Sequence, residues 1–330
     1  MSTTPRHVAV IGTGHYVPER ILTNADLEKM VDTTDEWILT RSGIRERHIA
    51  SDDQATSDLA AEAARRALTS AAVNPEDIDL IIVATITPDM PFPNTACFVQ
   101  KLIGAKNATC IGLEAACTGF LYALDVANQY LLTGRFKTAL VIGAEKMSTI
   151  VDWKDRTTCV LFGDGAGAVV VQVRETGEGI LSTVTGSDGA LSGLLSLPAG
   201  GSRSPASAQT VEGRLHYMRM EGKEIFKHAV RAMSESARRA LENSGLTIDD
   251  IACVVPHQAN MRIVDAIRSR MGVGIDKFFI NLDKYGNMSS ASIPVALDEA
   301  MQCGRIKKGD NIIMVAFGGG LTWGAMVVKM

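Results

Sequence analysis

Two hydrophobic rhythms alternate along this chain. Short, nearly unbroken apolar runs of four to six residues are separated by longer stretches whose apolar positions recur every three or four residues. Unbroken runs of that length predict strands buried on both faces, as in a layered α/β fold, and the spaced pattern predicts amphipathic helices. Residues 8–11, 79–84, 139–142 and 166–171 are therefore expected strands, with an alanine-rich helix over 56–72 and another over 95–103. A longer apolar run from Phe120 to Leu132, closed by Gly134, reads as a buried helix that starts at or next to Cys117.

The second part of the chain repeats the plan. A helix is expected over 221–244, a strand over 251–255, and a helix over 260–271 with Ile263, Ile267 and Met271 at four-residue spacing. Strands at 311–315 and 325–328 close the series. Matched elements lie roughly 170 residues apart, which implies duplication of one α/β unit rather than a short-period repeat. The two units are read as 1–178 and 179–330, with the seam in Gly177-Glu178-Gly179 and a loop-rich insertion over 186–205.

The chain has 330 residues, of which 46% are hydrophobic, enough for a large core. Its net charge of −4 argues against nucleic acid as a partner, so any anionic partner must be met by a local basic patch. The apolar runs are too short and too broken by glycine to span a bilayer. The N-terminus lacks a basic-then-apolar signal region. The six cysteines (97, 110, 117, 159, 253 and 303) form no C-x-x-C pair and have no histidine at zinc-ligand spacing. Reduced thiols, a cytoplasmic location and no bound metal are the expectations.

Four segments carry candidate chemistry. Cys117, in Leu113-Glu-Ala-Ala-Cys117-Thr-Gly-Phe120, stands at a helix start, where unpaired N–H groups and the macrodipole favour a thiolate and lower the thiol's pKa. Small neighbours leave room for a substrate; the plainer reading is a buried free cysteine. Val254-Val-Pro-His257-Gln-Ala-Asn260-Met-Arg262 places an imidazole, two amides and a guanidinium at the end of a strand, where such groups face a crevice. A lone histidine there is also often structural. Lys284-Tyr-Gly286-Asn287-Met-Ser289-Ser-Ala-Ser292 combines a Gly-Asn turn with several small hydroxyls, or is an ordinary turn and cap. Ala316-Phe-Gly318-Gly-Gly320-Leu-Thr-Trp-Gly324 permits close backbone approach and suits an oxyanion or a phosphate, although it lacks the Lys-Ser/Thr of a P-loop. Ile11-Gly12-Thr-Gly14 is only a fragment of a dinucleotide fingerprint. A sulfur nucleophile, an imidazole, a carboxamide and backbone amides together suggest acyl transfer through a thioester, then chemistry on a stabilised enolate.

With these residues in hand, the chain resembles the β-ketoacyl-acyl-carrier-protein synthase III family over essentially its whole length. The resemblance rests on Asn24-Ala-Asp-Leu-Glu28, Asp35-Glu-Trp37, Arg41-Ser-Gly-Ile-Arg-Glu-Arg47, Ala115-Ala-Cys117, Phe162-Gly-Asp-Gly-Ala-Gly167, Pro256-His-Gln-Ala-Asn260, Gly286-Asn287 and Gly318-Gly-Gly-Leu-Thr-Trp-Gly324. It implies a thiolase-like fold, two duplicated α/β halves in a five-layered αβαβα sandwich, usually as a homodimer. It also implies an acyltransferase that starts fatty-acid synthesis with no metal or cofactor. An acyl-CoA would acylate Cys117, and malonyl-acyl-carrier protein would lose CO₂ and condense with the acyl group. The resemblance assigns the catalytic roles to Cys117, His257 and Asn287 and the oxyanion hole to the N–H groups of Cys117 and Gly320. CoA contacts fall on Thr33, Trp37, Arg41, Arg156, Phe226 and Asn260, with Trp37 and Arg156 around the adenine. Lys227 and Arg262 would receive the carrier protein, and Phe92 would close the acyl pocket of a dimer partner. Thr157, Gly112 and Met288 depart from the common pattern and leave primer choice open. The alternatives are a same-fold condensing enzyme of a polyketide or secondary-metabolite pathway, a catalytically silent carrier-protein scaffold, or a nucleotide-binding module.

Overall fold

A computed structural model describes residues 6–175 and 177–330. The first five residues, on which the reading of the N-terminus partly rests, lie outside the described residues. The first half contributes β1 (His7–Tyr16), α1 (Thr56–Ala71), β2 (Leu80–Ala84), α2 (Thr95–Ile103), β3 (Thr109–Leu113), α3 (Gly119–Leu132), β4 (Thr138–Glu145) and β5 (Gly165–Arg174). The second contributes β6 (Gly179–Ser187), α4 (Gly222–Ser244), β7 (Cys253–Pro256), α5 (Met261–Met271), α6 (Ser292–Gln302), β8 (Asn311–Gly318) and β9 (Thr322–Lys329).

The strands form two main sheets of matching order. The first runs β1-β5-β4-β2-β3 and the second β6-β9-β8-β7. In each, the first two pairings are antiparallel and the next is parallel. Among the described residues the second sheet has four strands, and a single parallel bridge, Val254 to Phe278, stands where a fifth would pair. Leu80 pairs with Ala139 in one half as Cys253 pairs with Ile312 in the other.

Alternation along each strand builds the layers, because successive side chains point to opposite faces. Leu80, Ile82 and Ala84 pack inward with Phe120 and Leu124 of α3 and Ile293 and Leu297 of α6. Ile81 and Val83 face outward onto α1 and α2. In the second sheet Ile312, Met314 and Ala316 join the same middle layer, while Ile313 and Val315 pack on α4 and α5. Helices outside, sheets, and α3 with α6 between give the five layers expected. Fully burying a side chain such as Phe120 contributes about 1.5–3 kcal/mol, which the middle layer repeats many times. Local signals fix the helix ends: Asn94 and Asn260 cap α2 and α5, and left-handed Gly104 and Gly272 stop them.

Some expectations need correction. β3 and β6 are edge strands that hydrophobic runs did not mark, since Gly112 interrupts one and hydroxyls fill the other. The region 186–205 is more ordered than a loop: it holds the end of β6, a 3-10 turn (Gly189–Leu194) and a short strand (Leu195–Ser196) paired with Arg219–Met220. Gly12 and Gly14 serve packing, because a Cβ on them would lie 2.5 Å from Ala71 N and 2.3 Å from Ala67 N of α1. Among the described residues, no helix is long and apolar enough to cross a membrane.

Candidate active site

Cys117 sits in the 3-10 turn Ala116–Thr118 that runs directly into α3. The turn is sharp. Ala116 has φ 45°, a left-handed value uncommon for a residue with a Cβ. Neighbours hold it: Glu114 Oε1 accepts from Ala116 N at 3.0 Å, and Thr118 Oγ1 bonds Ala115 O and Thr322 Oγ1, each at 2.6 Å. Thr322 ties back to Gly319 O at 2.9 Å, so the cysteine turn and the Gly-rich turn between β8 and β9 are stapled together. Gly318 needs to be glycine here, because a Cβ would fall 2.6 Å from Cys117 N.

His257 follows the last residue of β7, and its N–H donates to Val315 O of β8 at 2.7 Å. Gln258 turns away from the crevice and donates to Pro256 O and Phe279 O. Asn287 is clamped at the backbone: its N–H donates to Leu161 O, and its carbonyl accepts from Gly163 N. Its side-chain Oδ1 accepts from Ser289 N at 2.8 Å, which leaves the Nδ2 hydrogens as the amide's remaining donors.

Burial dominates the electrostatics. Cys117 and His257 are 8% and 2% exposed. Burial pushes the Cys117 thiol up to about 12; the neighbouring Ser289 hydroxyl opposes the rise, and Glu114, like Glu145 in its ionised form, adds to it. Ser289 Oγ is buried with no other hydrogen-bond partner among the described residues. The pKa is raised rather than lowered as expected, because desolvation outweighs the helix start. Burial likewise lowers His257 to about 3, so at neutral pH it is an uncharged imidazole. Its Nδ1 is buried with no partner among the described residues.

Cys117, His257, Asn287, Gly319 and Gly320 all line one cavity of about 1350 Å³. That exceeds the ~300–1,000 Å³ of common small-ligand pockets. Exposed Arg41, Lys227 and Arg262 mark its mouth, and the three buried polar residues its inner end. Ile86, Leu195, Met218 and Met220 supply apolar wall between them.

Two family models match the chain: 3-oxoacyl-[acyl-carrier-protein] synthase III over residues 111–189 and the C-terminal part of the same family over 241–330. A β-ketoacyl-[acyl-carrier-protein] synthase III of Desulfitobacterium hafniense is 57% identical over 98% of this chain and 97% of its own. One from Caldanaerobacter subterraneus is 58% identical over 97% of each. The chain belongs to the β-ketoacyl-[acyl-carrier-protein] synthase III family. It is accordingly a condensing acyltransferase. The crystal structure of the Aquifex aeolicus synthase III superposes with a TM-score of 0.91 at 49% identity, covering 98% of this chain and 100% of that one. The priming β-ketosynthase of the R1128 polyketide pathway superposes at 0.90 with 37% identity, covering 99% and 98%.

Against the sites expected of a synthase III, the cavity gathers Trp37, Arg41, Phe226, Lys227, Asn260 and Arg262 with the catalytic candidates. Thr33, Arg156 and Phe92 lie outside its lining. Arg41 and Arg156 both lie over the Trp37 ring, 4.9 and 5.3 Å from its centroid. An aromatic ring held between Trp37 and Arg156 needs about 7 Å, two contacts of roughly 3.5 Å each. Where it stands, bonded to Asp32, Arg156 leaves too little room for a base between itself and Trp37. Asn260 is already engaged as the cap of α5, accepting from Arg262 N at 2.8 Å. Arg262 stacks on Phe226 at 5.8 Å, and Lys227 pairs with Glu224. Sequence reasoning missed Glu145 and the Thr118–Thr322 staple, and it offered Ser289 and Ser290 only as small hydroxyls after Asn287.

Proposed function

We propose that this synthase III condenses a short acyl-CoA primer with malonyl-acyl-carrier protein to give 3-oxoacyl-acyl-carrier protein, CoA and CO₂, through an acyl-Cys117 intermediate. The observation that carries this reading is the convergence of Cys117, His257 and Asn287 at the buried end of one long cavity with a basic mouth. Cys117 sulfur attacks the thioester carbonyl, the bond to the CoA sulfur breaks, and the thiol proton leaves with CoA. Burial raises the thiol far above neutral pH, so the sulfur is protonated at pH 7 and deprotonation accompanies attack. The N–H groups of Cys117 and Gly320 hold the tetrahedral oxyanion. In the second half-reaction the carbon–CO₂ bond of the malonyl group breaks and its electron pair moves to the thioester oxygen. Neutral His257 and the Asn287 amide donate hydrogen bonds to that oxygen, which stabilise charge as it builds. The carbanion attacks the acyl carbonyl, and Cys117 departs as thiolate. No step calls for a metal or redox cofactor.

The CoA adenine stacks on Trp37 beside Arg156, with Thr33 and Arg41 near the phosphates and Phe226 and Asn260 along the pantetheine. Lys227 and Arg262 receive the acidic carrier protein. The working unit is a homodimer in the cytoplasm. Support for the dimer comes from β3, an edge strand with open hydrogen-bonding positions, and from Phe92, which is 83% exposed near exposed Met90. Phe92 would reach the partner's acyl pocket.

Intact-protein mass after mixing with a panel of acyl-CoAs tests the nucleophile, with Cys117→Ser as control. One acyl group gained by the native protein and none by the variant is expected; no gain with any acyl-CoA overturns it. His257→Ala and Asn287→Ala should each lower condensation about 10²–10³-fold while leaving acylation. Loss of acylation in both would refute the division of roles. The polyketide relative keeps a second reading in view, and activity with acetyl-CoA and malonyl-acyl-carrier protein separates the two.

A further inference from the structure

Glu145 ends β4 with no exposed surface, next to the nucleophile but outside the cavity lining. Among the described residues it has no basic partner. Lys146, the next residue, turns its ammonium onto Ser51 O and Gln54 O. The hydrogen bonds around the Glu145 carboxyl define its proton. Oε2 accepts from Thr87 Oγ1 at 2.7 Å, Thr85 Oγ1 at 3.1 Å and Ile86 N at 3.1 Å. The two threonine hydroxyls already accept from Lys146 N and Thr87 N, so their own protons are free for Oε2. Oε1 faces Ser290 Oγ at 2.9 Å, and Ser290 Oγ is also 2.9 Å from Ala84 O. A serine hydroxyl carries one proton. A backbone carbonyl can only accept, so both contacts are hydrogen bonds when Oε1 carries a proton and donates it to Ser290. Complete burial without a cation favours the same neutral form.

We propose that Glu145 is a positioning residue of the condensing reaction. As a neutral carboxylic acid it joins the end of β2 and residues 85–87 to Ser290, and so fixes the turn bearing Asn287 relative to Cys117. Two of the residues it holds, Thr85 and Ile86, line the cavity, and Ser290 follows Ser289, which lies beside the Cys117 thiol. Neutrality has a second consequence. The groups facing Cys117 are Glu145, Glu114, Ser289 and uncharged His257; an ionised Glu145 would oppose loss of the thiol proton, and a protonated one does not.

The proposal rests on Cys117 as nucleophile and Asn287 as donor. Failure of that reading shows separately, as absent acylation of the native protein. The test is iodoacetamide alkylation of Cys117 against pH, alongside acylation and condensation rates, in Glu145→Gln, Glu145→Ala and Ser290→Ala. Glu145→Gln keeps a donor towards Ser290 and an acceptor towards Thr87, so the alkylation midpoint should stay where it is in the native protein. A midpoint displaced to lower pH means that a charge was removed and overturns the neutral carboxyl. Glu145→Ala should lower condensation at least tenfold, and Glu145→Gln should recover most of that loss. Ser290→Ala, a small change that tests the link even where Glu145→Ala fails to fold, should lower kcat for condensation about tenfold and spare acylation. Native condensation in Ser290→Ala, or equal losses in Glu145→Gln and Glu145→Ala, overturns the positioning role.

Discussion

The turns that enter α3 and α6 hold equivalent places in the two halves of the molecule. Ala116–Thr118 begins at φ 45° and Ser289–Ala291 at φ 46°, and each leads into the central helix of its half. Each meets the strand end of the opposite half. Cys117 abuts Gly318, the last residue of β8, and Ser290 bonds Glu145, the last residue of β4. One strand end carries no side chain, and Cys117 lines a cavity. The other carries a carboxyl that fills the space and engages the hydroxyl, and Ser290 lies outside the lining. The same backbone therefore opens onto a cavity where the facing strand ends in glycine and makes a sealed network where it ends in glutamate.

The sharpest test moves the sulfur from one turn to the other. Cys117→Ala should abolish acylation, a loss of at least about 10³-fold for removal of a covalent nucleophile. Adding Ser290→Cys should not restore it, and a mass gain in the double variant would break the distinction between the turns. Gly318→Ala comes next. Its methyl must displace the Cys117 turn, and a shift of that kind costs about 10²-fold in rate. Undiminished acylation would show that the close approach is dispensable.

The site's pH behaviour separates polar groups buried at an active site from those in a satisfied network. His257 is depressed from the ordinary 6.5 to about 3, so the unfolded chain binds a proton that the folded chain refuses across that interval. Stability should therefore fall as pH drops from 6.5 towards 3, and His257→Asn should flatten that part of the curve in denaturant titrations. Cys117 has the opposite sign. Its thiol rises from 9.0 to about 12, so its contribution is complete below 9 and is lost as pH climbs towards 12. The smallest effect belongs to the rim. Arg262→Glu should weaken carrier-protein binding roughly tenfold with little change in CoA affinity, as expected of an exposed charge that steers encounter. Equal effects on both would remove Arg262 from the docking surface.

Much of this was legible in the sequence because two-sided burial writes itself into composition. The runs 80–84 and 312–315 are apolar at every position, since alternate residues face two different cores. Two edge strands escaped because their apolar runs are broken: β3 contains Gly112 and β6 is rich in Ser and Thr. Glu145 escaped for a different reason. In Gly143-Ala-Glu145-Lys146 it resembles half of a solvated ion pair, whereas the fold turns the lysine outward and buries the acid.

By itself the sequence determined the duplicated α/β plan, the family, and the residues offered as nucleophile and donors, because periodicity and motif spacing are properties of the chain. Tertiary structure decided how those groups behave. The helix start beside Cys117 favours a thiolate only over a short range, and burial in the crevice costs the charged form more, so the resting sulfur is a thiol. That crevice exists only where strand ends from one half meet the turns of the other.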